Sequence, residues 1–352
     1  MGKPTSHRVP RRAALVAGAG SKSVPKGLSE PDSVPETVPG KHRRETMAGL
    51  RMLKAPKVLA VLAALVFSLP GLSWAPTQHA EFFSGKMEVT LAEIQEGRTC
   101  AAYDVEYDPH YMNILSPEGY VHAIYQVLRL ERGSSMTLAP VCSSWVWVSR
   151  GTTKRSAYNV LGDTSVRCVS EGNCMAARCA LLCFLALARG IWVVMEQPRG
   201  SLLEHHPAMQ LLFKLCQFWR ESIKMGDFAA PSQKDTWLYS SQPFIEQIYD
   251  FKPATLPQRQ SVQLVEKYVD SKGINRVKGS RFLKGSQAYT RQFGRALARL
   301  RTRHQSEVKA AAAAFLCKAA GGKQRAPRKL SSDFQSWIKS ADLNPVLEFL
   351  TK

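Results

Sequence analysis

The stretch Ser135-Met-Thr-Leu-Ala-Pro-Val-Cys142-Ser-Ser-Trp145 decides the fold of this chain. Its short apolar run ends at a proline, after which a cysteine, two serines and a tryptophan follow. Further along, Ile191-Trp-Val-Val-Met195 leads in the same way into Glu196-Gln197-Pro198. Both patterns are typical of a buried strand that ends in a functional loop. Because ligands of open α/β sheets sit outside the carboxyl ends of the strands, we expect Cys142 and Glu196 to open into one pocket.

The chain around these segments alternates between predicted strands and predicted helices. Strands are predicted over residues 80–83, 99–103, 135–138 and 191–195, with a final strand pair over 222–225 and 236–239. Helices are predicted over residues 87–96, 119–129, 175–188 and 207–219. This alternation predicts a doubly wound α/β domain over residues 79–245, in which helices cover both faces of a mostly parallel sheet.

The composition favours a globular domain with a polyanionic partner. The 352 residues carry 48 Lys and Arg against 28 Asp and Glu, which gives a formal net charge of +20. This excess favours DNA or RNA as a partner, although it does not determine the fold. A hydrophobic fraction of 45% is enough for a sizeable core, and a monomer is the default expectation. The eight cysteines have no zinc-like spacing, so we predict a reduced compartment and no metal site.

Residues 1–56 are rich in Pro, Gly, Ser, Lys and Arg, which predicts a disordered basic arm. They contain the clusters Arg8-Val-Pro-Arg-Arg12 and Lys41-His-Arg-Arg44. Such clusters are typical of a nuclear address or a nucleic-acid tether, so the nucleus is the expected location. A solvated tail without either role is the alternative.

Residues 57–78 contain a continuously apolar run over 58–69. The run is shorter than the roughly 20 residues that a spanning helix needs, so we expect no stable membrane span. If translation began at Met47 or Met52, residues 47–75 would resemble a targeting segment for an organelle or the secretory pathway. The competing interpretation is a helix that packs on the edge of the domain.

The C-terminal part of the chain is predicted to be basic and largely helical. Residues 246–304 would form a basic hairpin, which turns at Ser271-Lys-Gly273, and a helix over 287–303. Residues 305–352 would form an Ala-rich helix and a last short helix that opens at Ser332-Asp-Phe-Gln335. A merely solvated basic face is the alternative to a phosphate-binding surface. The residues expected to contact nucleic acid here are Lys278, Arg281, Arg295 and Arg299.

Two features after the first two predicted strands suit a nucleoside-containing ligand. The turn Phe83-Ser84-Gly85 lets a ligand approach the backbone at the start of a helix. Asp104 is placed to accept hydrogen bonds from a ribose diol. An ordinary βα turn is the competing interpretation.

Cys142 is a candidate nucleophile, because a loop at a strand end exposes its thiol. Glu196 lies at the neighbouring strand end, where a carboxyl group can hold or protonate a substrate ring. The alternative is a cysteine that acts as a small buried hydrophobic residue. The cations that we expect to lower the pKa of the thiol are Arg150, Lys154 and Arg155.

The order of these motifs resembles that of the C5-cytosine DNA methyltransferases, which have the class I S-adenosylmethionine-dependent methyltransferase fold. Phe82-Phe-Ser-Gly85 resembles the first cofactor loop of that family, and Asp104 stands where its ribose-binding acid stands. Ala139-Pro-Val-Cys142 resembles the Pro-Pro-Cys loop that carries the nucleophile. Glu196-Gln-Pro198 resembles the family's Glu-Asn-Val or Glu-Asn-Pro motif. The resemblance covers residues 79–240.

The resemblance implies a seven-stranded sheet, an S-adenosylmethionine site and a reaction at cytosine C5 in DNA. Cys142 would add to C6 of a flipped cytosine while Glu196 holds N3, so that C5 takes the methyl group. Lys234, in Gln233-Lys234, would contact DNA in the place of the family's Gln-x-Arg. The residues that would hold the cofactor are Phe83, Gly85, Asp104 and Asn113.

The chain also differs from the family at several of these positions. Val141 replaces the proline before the nucleophile, and Gln197 replaces the asparagine. Lys86-Met-Glu88 stands where the family usually has two further glycines. No large target-recognition domain fits between Tyr239 and Val262. The sequence therefore supports two hypotheses: a cytosine-C5 methyltransferase, and a degenerate relative that only binds nucleic acid.

Overall fold

The computed structural model of the protein describes residues 38–256 and 261–319, and these ranges contain eight α-helices and eight strands. The helices are α1 (Val38–Met52), α2 (Lys57–Phe67), α3 (Glu88–Gln95), α4 (Pro117–Leu128), α5 (Arg150–Thr153), α6 (Arg167–Ala188), α7 (Pro207–Leu215) and α8 (Arg291–Ala319). The strands are β1 (Thr77–Phe82), β2 (Cys100–Tyr103), β3 (Leu130–Leu138), β4 (Trp192–Pro198), β5 (Trp219–Lys224), β6 (Asp235–Ser240), β7 (Val265–Val269) and β8 (Asn275–Gly279). Short 3₁₀ helices cover Trp147–Ser149, Leu202–His205, Met225–Phe228, Pro243–Phe251 and Lys284–Gln287.

The central sheet of the described part has six strands in the order β2-β1-β3-β4-β6-β5. The first four in this order run parallel, and β6 pairs antiparallel with both β4 and β5. The resemblance implies seven strands, but the central sheet of this part has six. Between β2 and β3 the chain forms the single helix α4 and no further strand. The chain order reverses between β1 and β3, and this kind of switch point is where open α/β sheets bind ligands.

Alternate residues of β4 pack into two cores on opposite faces of the sheet. Val193 and Met195 lie in the core that α1, α2, α4, α6 and α7 cover. Trp192 and Val194 lie in the core that includes residues of α3 and α8. Successive side chains of a strand point to opposite faces, so helices on both sides can bury one strand completely. The prediction of an α/β domain with a mostly parallel sheet flanked by helices is confirmed.

Residues 38–52 form the helix α1, so the prediction of a disordered arm is wrong for this part of residues 1–56. Met47 and Leu50 of α1 are buried in the core. Gly49 allows a close approach, because a Cβ there would lie 2.1 Å from the carbonyl oxygen of Ala188 at the end of α6. Arg189 Nη1 donates to Thr46 Oγ1 at 3.0 Å. The sequence prediction missed this apolar face because basic residues dominate the composition of the segment. Residues 1–37 lie outside the described ranges.

The apolar run after α1 forms α2, which buries six of its residues against the domain. The interpretation as a packed helix is therefore confirmed for Lys57–Phe67. Within the described ranges, α6 is long and apolar enough to cross a membrane, but most of it lies inside the domain. Its cysteines Cys179 and Cys183 are buried in the core.

The basic hairpin is confirmed as the antiparallel pair β7–β8, and Gly273 in its turn has φ +72°. A single continuous helix, α8, replaces the two helices predicted over 287–303 and 305–320. Phe293, Leu297 and Leu300 of α8 are buried. The predicted helix after Ser332 lies outside the described residues.

Candidate functional site

Cys142 and Glu196 reach the same edge of the sheet because β3 and β4 are parallel neighbours. Leu138 at the end of β3 pairs with Met195, the residue before Glu196. The predicted adjacency of the two strands is therefore confirmed. Lys234, at the start of β6, places its Nζ atom 3.2 Å from Glu196 Oε1. The Cys142 loop is held against the end of β4, because Nε2 of Gln197, the residue after Glu196, donates to the carbonyl oxygen of Pro140 at 2.7 Å. Cys142, Glu196 and Lys234 therefore lie at one edge of the sheet, and we treat them as one cluster.

The pKa of the Cys142 thiol is raised, chiefly because the side chain is removed from water. Glu196 also raises this pKa, whereas the ammonium of Lys234 lowers it. Burial by itself would lower the pKa of Lys234, but the charges of Glu196 and Cys142 outweigh it and raise that pKa. Cys142 is therefore mainly a neutral thiol at pH 7 in the free protein, and Lys234 stays protonated.

Arg155 does not act on the thiol as predicted, because it is buried in the loop behind Cys142. Its Nη1 donates to Asn173 Oδ1 at 2.9 Å and its Nη2 to the carbonyl oxygen of Val169 at 3.0 Å. Its guanidinium carbon lies 3.5 Å from the centre of the Trp145 ring. Burial lowers the pKa of Arg155 to about 10, so the side chain keeps its charge. The cation that faces Cys142 is Lys234, whereas Arg150 and Lys154 are exposed.

Gln197 ties the Cys142 loop to the end of β4. Its Nε2 donates to the carbonyl oxygen of Pro140 at 2.7 Å, and its Oε1 accepts from Ser201 Oγ at 2.9 Å. Gln197 is 1% exposed, so neither bond competes with water. Gln197 therefore has a structural role in holding the loop that carries Cys142.

The turn between β1 and α3 has an unusual backbone at the switch point of the sheet. Phe83, Gly85 and Met87 all have positive φ, at +61°, +47° and +57°. Only glycine adopts this region at little cost, so Phe83 and Met87 are held there by their surroundings. Such outliers cluster at functional sites. A Cβ on Gly85 would meet nothing within 4 Å, so the space above the turn is open.

Asp104 lies beside this turn, as the sequence predicts. Its Oδ2 accepts from the backbone N–H of Gly85 at 2.8 Å, and its Oδ1 accepts from that of Glu106 at 2.9 Å. Each carboxylate oxygen can accept a second hydrogen bond, so Asp104 can still bind a ribose diol. Together with the open space over Gly85, these residues fit a nucleoside cofactor. Asn113 has a local role, because its Oδ1 accepts from the N–H of Leu115 before α4.

Two site residues were missed by sequence analysis. Glu81 is 1% exposed, and its Oε2 accepts from the backbone N–H and the hydroxyl of Thr90 at 2.7 and 2.6 Å. Its Oε1 is buried without a hydrogen-bond partner among the described residues, and burial raises its pKa to about 7. Tyr289 lies among Glu196, Glu81 and Cys142, whose charges add to burial in raising its pKa. A carboxylate among the apolar residues of the predicted strand 80–83 was the signal for Glu81.

The basic residues of the C-terminal part divide into exposed and internal ones. Lys278 and Arg281 on the hairpin and Arg299 on α8 are exposed, and Arg295 is half-buried. Arg301, in contrast, is 3% exposed and donates to Glu93 Oε2 at 3.0 Å. The arginines of α8 are therefore not a uniform phosphate-binding face. The side chain of Lys234 is 14% exposed and pairs with Glu196, so it does not lie on an open surface.

Comparison of the chain with protein-family models, curated proteins and solved structures finds no match. Within the described ranges, no group of three or more His, Cys, Asp or Glu side chains is placed to hold a metal ion. The geometry of the cluster and the motifs in the sequence are therefore the features that point to a function.

Proposed function

We propose that the protein is an S-adenosylmethionine-dependent methyltransferase that acts on cytosine C5 in nucleic acid. The observation that carries this proposal is the cluster of Cys142, Glu196 and Lys234 beside the turn after β1. A nucleophile, a carboxylate and a cation there are the groups that the reaction needs. The mostly parallel sheet with its antiparallel strand β6 supports the class I methyltransferase fold, although the described part has six strands rather than seven.

The residues of the cluster have complementary roles in this proposal. Cytosine N3 and a carboxylate both accept hydrogen bonds, so Glu196 takes up the proton of the Cys142 thiol and donates it to N3. Protonation of Glu196 ends its ion pair with Lys234. Released from Glu196, the ammonium of Lys234 favours the thiolate of Cys142, which adds to C6 and makes C5 nucleophilic. Bound S-adenosylmethionine would supply an electrophilic methyl group, with Asp104 holding its ribose. Water then takes the C5 proton, the N3 proton returns to Glu196, and elimination of the thiolate from C6 restores the aromatic ring.

A nucleic-acid-binding protein without catalysis is the second candidate. The raised pKa of Cys142 favours it, because a neutral thiol is a weak nucleophile. Side chains at Lys86 and Met87, where the family usually has glycines, favour it as well. The two candidates differ in whether S-adenosylmethionine binds and in whether Cys142 reacts.

The test uses the full-length protein with a cytosine oligonucleotide that carries fluorine at C5. Fluorine cannot leave as a cation, so the Cys142–C6 bond persists after methyl transfer and can be detected by mass spectrometry. We expect an adduct that requires S-adenosylmethionine, is lost in Cys142→Ser and is retained in Cys168→Ser, a matched exposed cysteine. Isothermal titration measures cofactor binding separately. Cofactor binding without any adduct, or no cofactor binding, would leave the second candidate.

A further inference from the structure

We propose that the substrate of this site is a single-stranded polynucleotide, held on an aromatic and basic platform beside Cys142. The platform consists of Trp147 and of Tyr268, Arg276 and Lys278 on the β7–β8 hairpin. This inference rests on the proposed function, because it names the form of nucleic acid that the same site takes.

The hairpin presents an aromatic ring between two cations. In the β7–β8 register Tyr268 pairs with Arg276, and Glu266 pairs with Lys278, so all four side chains lie on one face. Tyr268 is 45% exposed, and Lys278 Nζ lies 5.6 Å from the centre of its ring. A ring that stacks a base, with cations beside it for the phosphates, is how proteins bind single strands.

The cations of the platform are available to phosphates. Arg276 pairs with Asp270 at 2.8 Å and Lys278 with Glu266 at 3.3 Å, but these pairs lie at the surface. Exposed ion pairs contribute little, so a polyanion can replace the carboxylates at small cost. Each phosphate contact also releases counterions, which favours binding at low salt.

The platform is connected to the candidate active site on two sides. Strand β8 lies next to the 3₁₀ helix Trp147–Ser149, which follows the Cys142 loop, and Trp147 is 47% exposed. At the base of the hairpin, the N–H of Val262 donates to the carbonyl oxygen of Pro231 at 3.0 Å, in the turn that leads to Lys234. In this proposal, a polynucleotide that stacks on Tyr268 extends past Trp147 toward Cys142.

The segment between β6 and β7 explains why a single strand fits better than a duplex. Its 3₁₀ helix, Pro243–Phe251, buries Phe244, Ile245 and Ile248 in the core. The described part of this segment therefore offers no separate element that could open a duplex and replace a flipped base. A base in a single strand needs no such element, because extruding it costs least where it is unpaired. Stacking on Tyr268 and Trp147 likewise requires bases that are not paired.

The test measures binding of full-length protein to a fluorescent cytosine-containing oligonucleotide, as single-stranded DNA, single-stranded RNA and duplex DNA of one sequence. We expect either single strand to bind at least about tenfold more tightly than the duplex. Tyr268→Ala should weaken single-strand binding about five- to hundredfold, which corresponds to the loss of one stacked base. Tyr268→Phe, which keeps the ring, should bind like the wild type.

Tyr111→Ala is the matched control, because Tyr111 is a 55% exposed tyrosine on the connection between β2 and α4. Its binding should equal that of the wild type. Equal or tighter duplex binding, with the adduct at Cys142 still formed, would overturn the single-strand inference and leave the proposed function intact. If Tyr268→Ala bound the single strands with wild-type affinity, the proposal that the platform holds the substrate would be overturned. Failure of all three nucleic acids to bind would overturn both proposals.

Discussion

The loop after β3 and the turn after β1 lie at the same edge of the sheet, but different contacts hold them. Buried side chains fasten the Cys142 loop, since Gln197 holds Pro140 and Arg155 packs beneath Trp145. The turn after β1 has three residues with positive φ and open space above Gly85. Buried contacts therefore fix the loop that carries Cys142, whereas the turn after β1 leaves open space in which a ligand could bind.

Among the substitutions that test this comparison, replacing Arg155 should have the largest effect on stability. Arg155→Ala leaves the carbonyl oxygens of Val160 and Val169 without their donor and opens a cavity under Trp145. We expect the free energy of unfolding to fall by about 3–5 kcal/mol, measured by urea denaturation. Arg150→Ala, an exposed arginine of the same segment, should change it by less than about 0.5 kcal/mol. If Arg155→Ala and Arg150→Ala lost the same free energy of unfolding, Arg155 would not be a buried residue that holds the Cys142 loop.

The buried carboxyl group of Glu81, on β1, should make the free energy of unfolding depend on pH. Its folded pKa of about 7 exceeds the ordinary 4.5, so the folded state binds the proton more tightly. The contribution of Glu81 to stability is therefore complete below pH 4.5 and is lost as the pH rises through 7. Over that interval the loss should reach about 3 kcal/mol.

Glu81→Gln removes this titration but keeps an oxygen that can accept from Thr90. Urea denaturation at pH 5 and pH 8 should show a smaller decrease for the variant than for the wild type. Glu118→Gln, at the start of α4, should retain the wild-type decrease. If Glu81→Gln retained it too, Glu81 would not be a buried proton-binding group.

Replacing Gln197 should have an intermediate effect on the free energy of unfolding. Gln197→Ala leaves the buried carbonyl oxygen of Pro140 without its donor and the hydroxyl of Ser201 without its acceptor, at a cost of about 1–3 kcal/mol. Because the Cys142 loop loses its tie to β4, alkylation of Cys142 by a thiol reagent should become faster. Gln210→Ala, an exposed glutamine on α7, should alter neither stability nor alkylation. An unchanged alkylation rate in Gln197→Ala would show that the loop does not need this bond.

The sequence predicted those features that depend on local pattern. Apolar runs that end in functional residues gave the parallel pair β3–β4, and the turn Ser271-Lys-Gly273 gave the hairpin. Features that depend on distant contacts were missed or misassigned. Arg155 was expected to act on the Cys142 thiol, but its side chain is buried and donates to Asn173.

The helix α1 was missed for a related reason. Its charged residues dominate the composition, whereas its stability depends on Met47 and Leu50, which bury against the rest of the domain. Propensity is a weak guide where tertiary packing stabilises a helix. The role of Tyr289 was equally hidden, because α8 brings this part of the chain to residues far away in sequence.

The smallest predicted effect concerns Met87, which has φ +57° in the turn after β1. Met87→Gly removes the cost of the left-handed conformation, and the greater freedom of glycine in the unfolded chain offsets part of this gain. We expect the free energy of unfolding to rise by about 0.5 kcal/mol and S-adenosylmethionine to bind more tightly in isothermal titration. Lys86→Gly has no positive φ to relieve, so it should lose about 0.5–1 kcal/mol. If Met87→Gly and Lys86→Gly destabilised the protein equally, Met87 would not be strained. The turn would then not have the backbone of a cofactor loop in which glycine is the preferred residue at position 87.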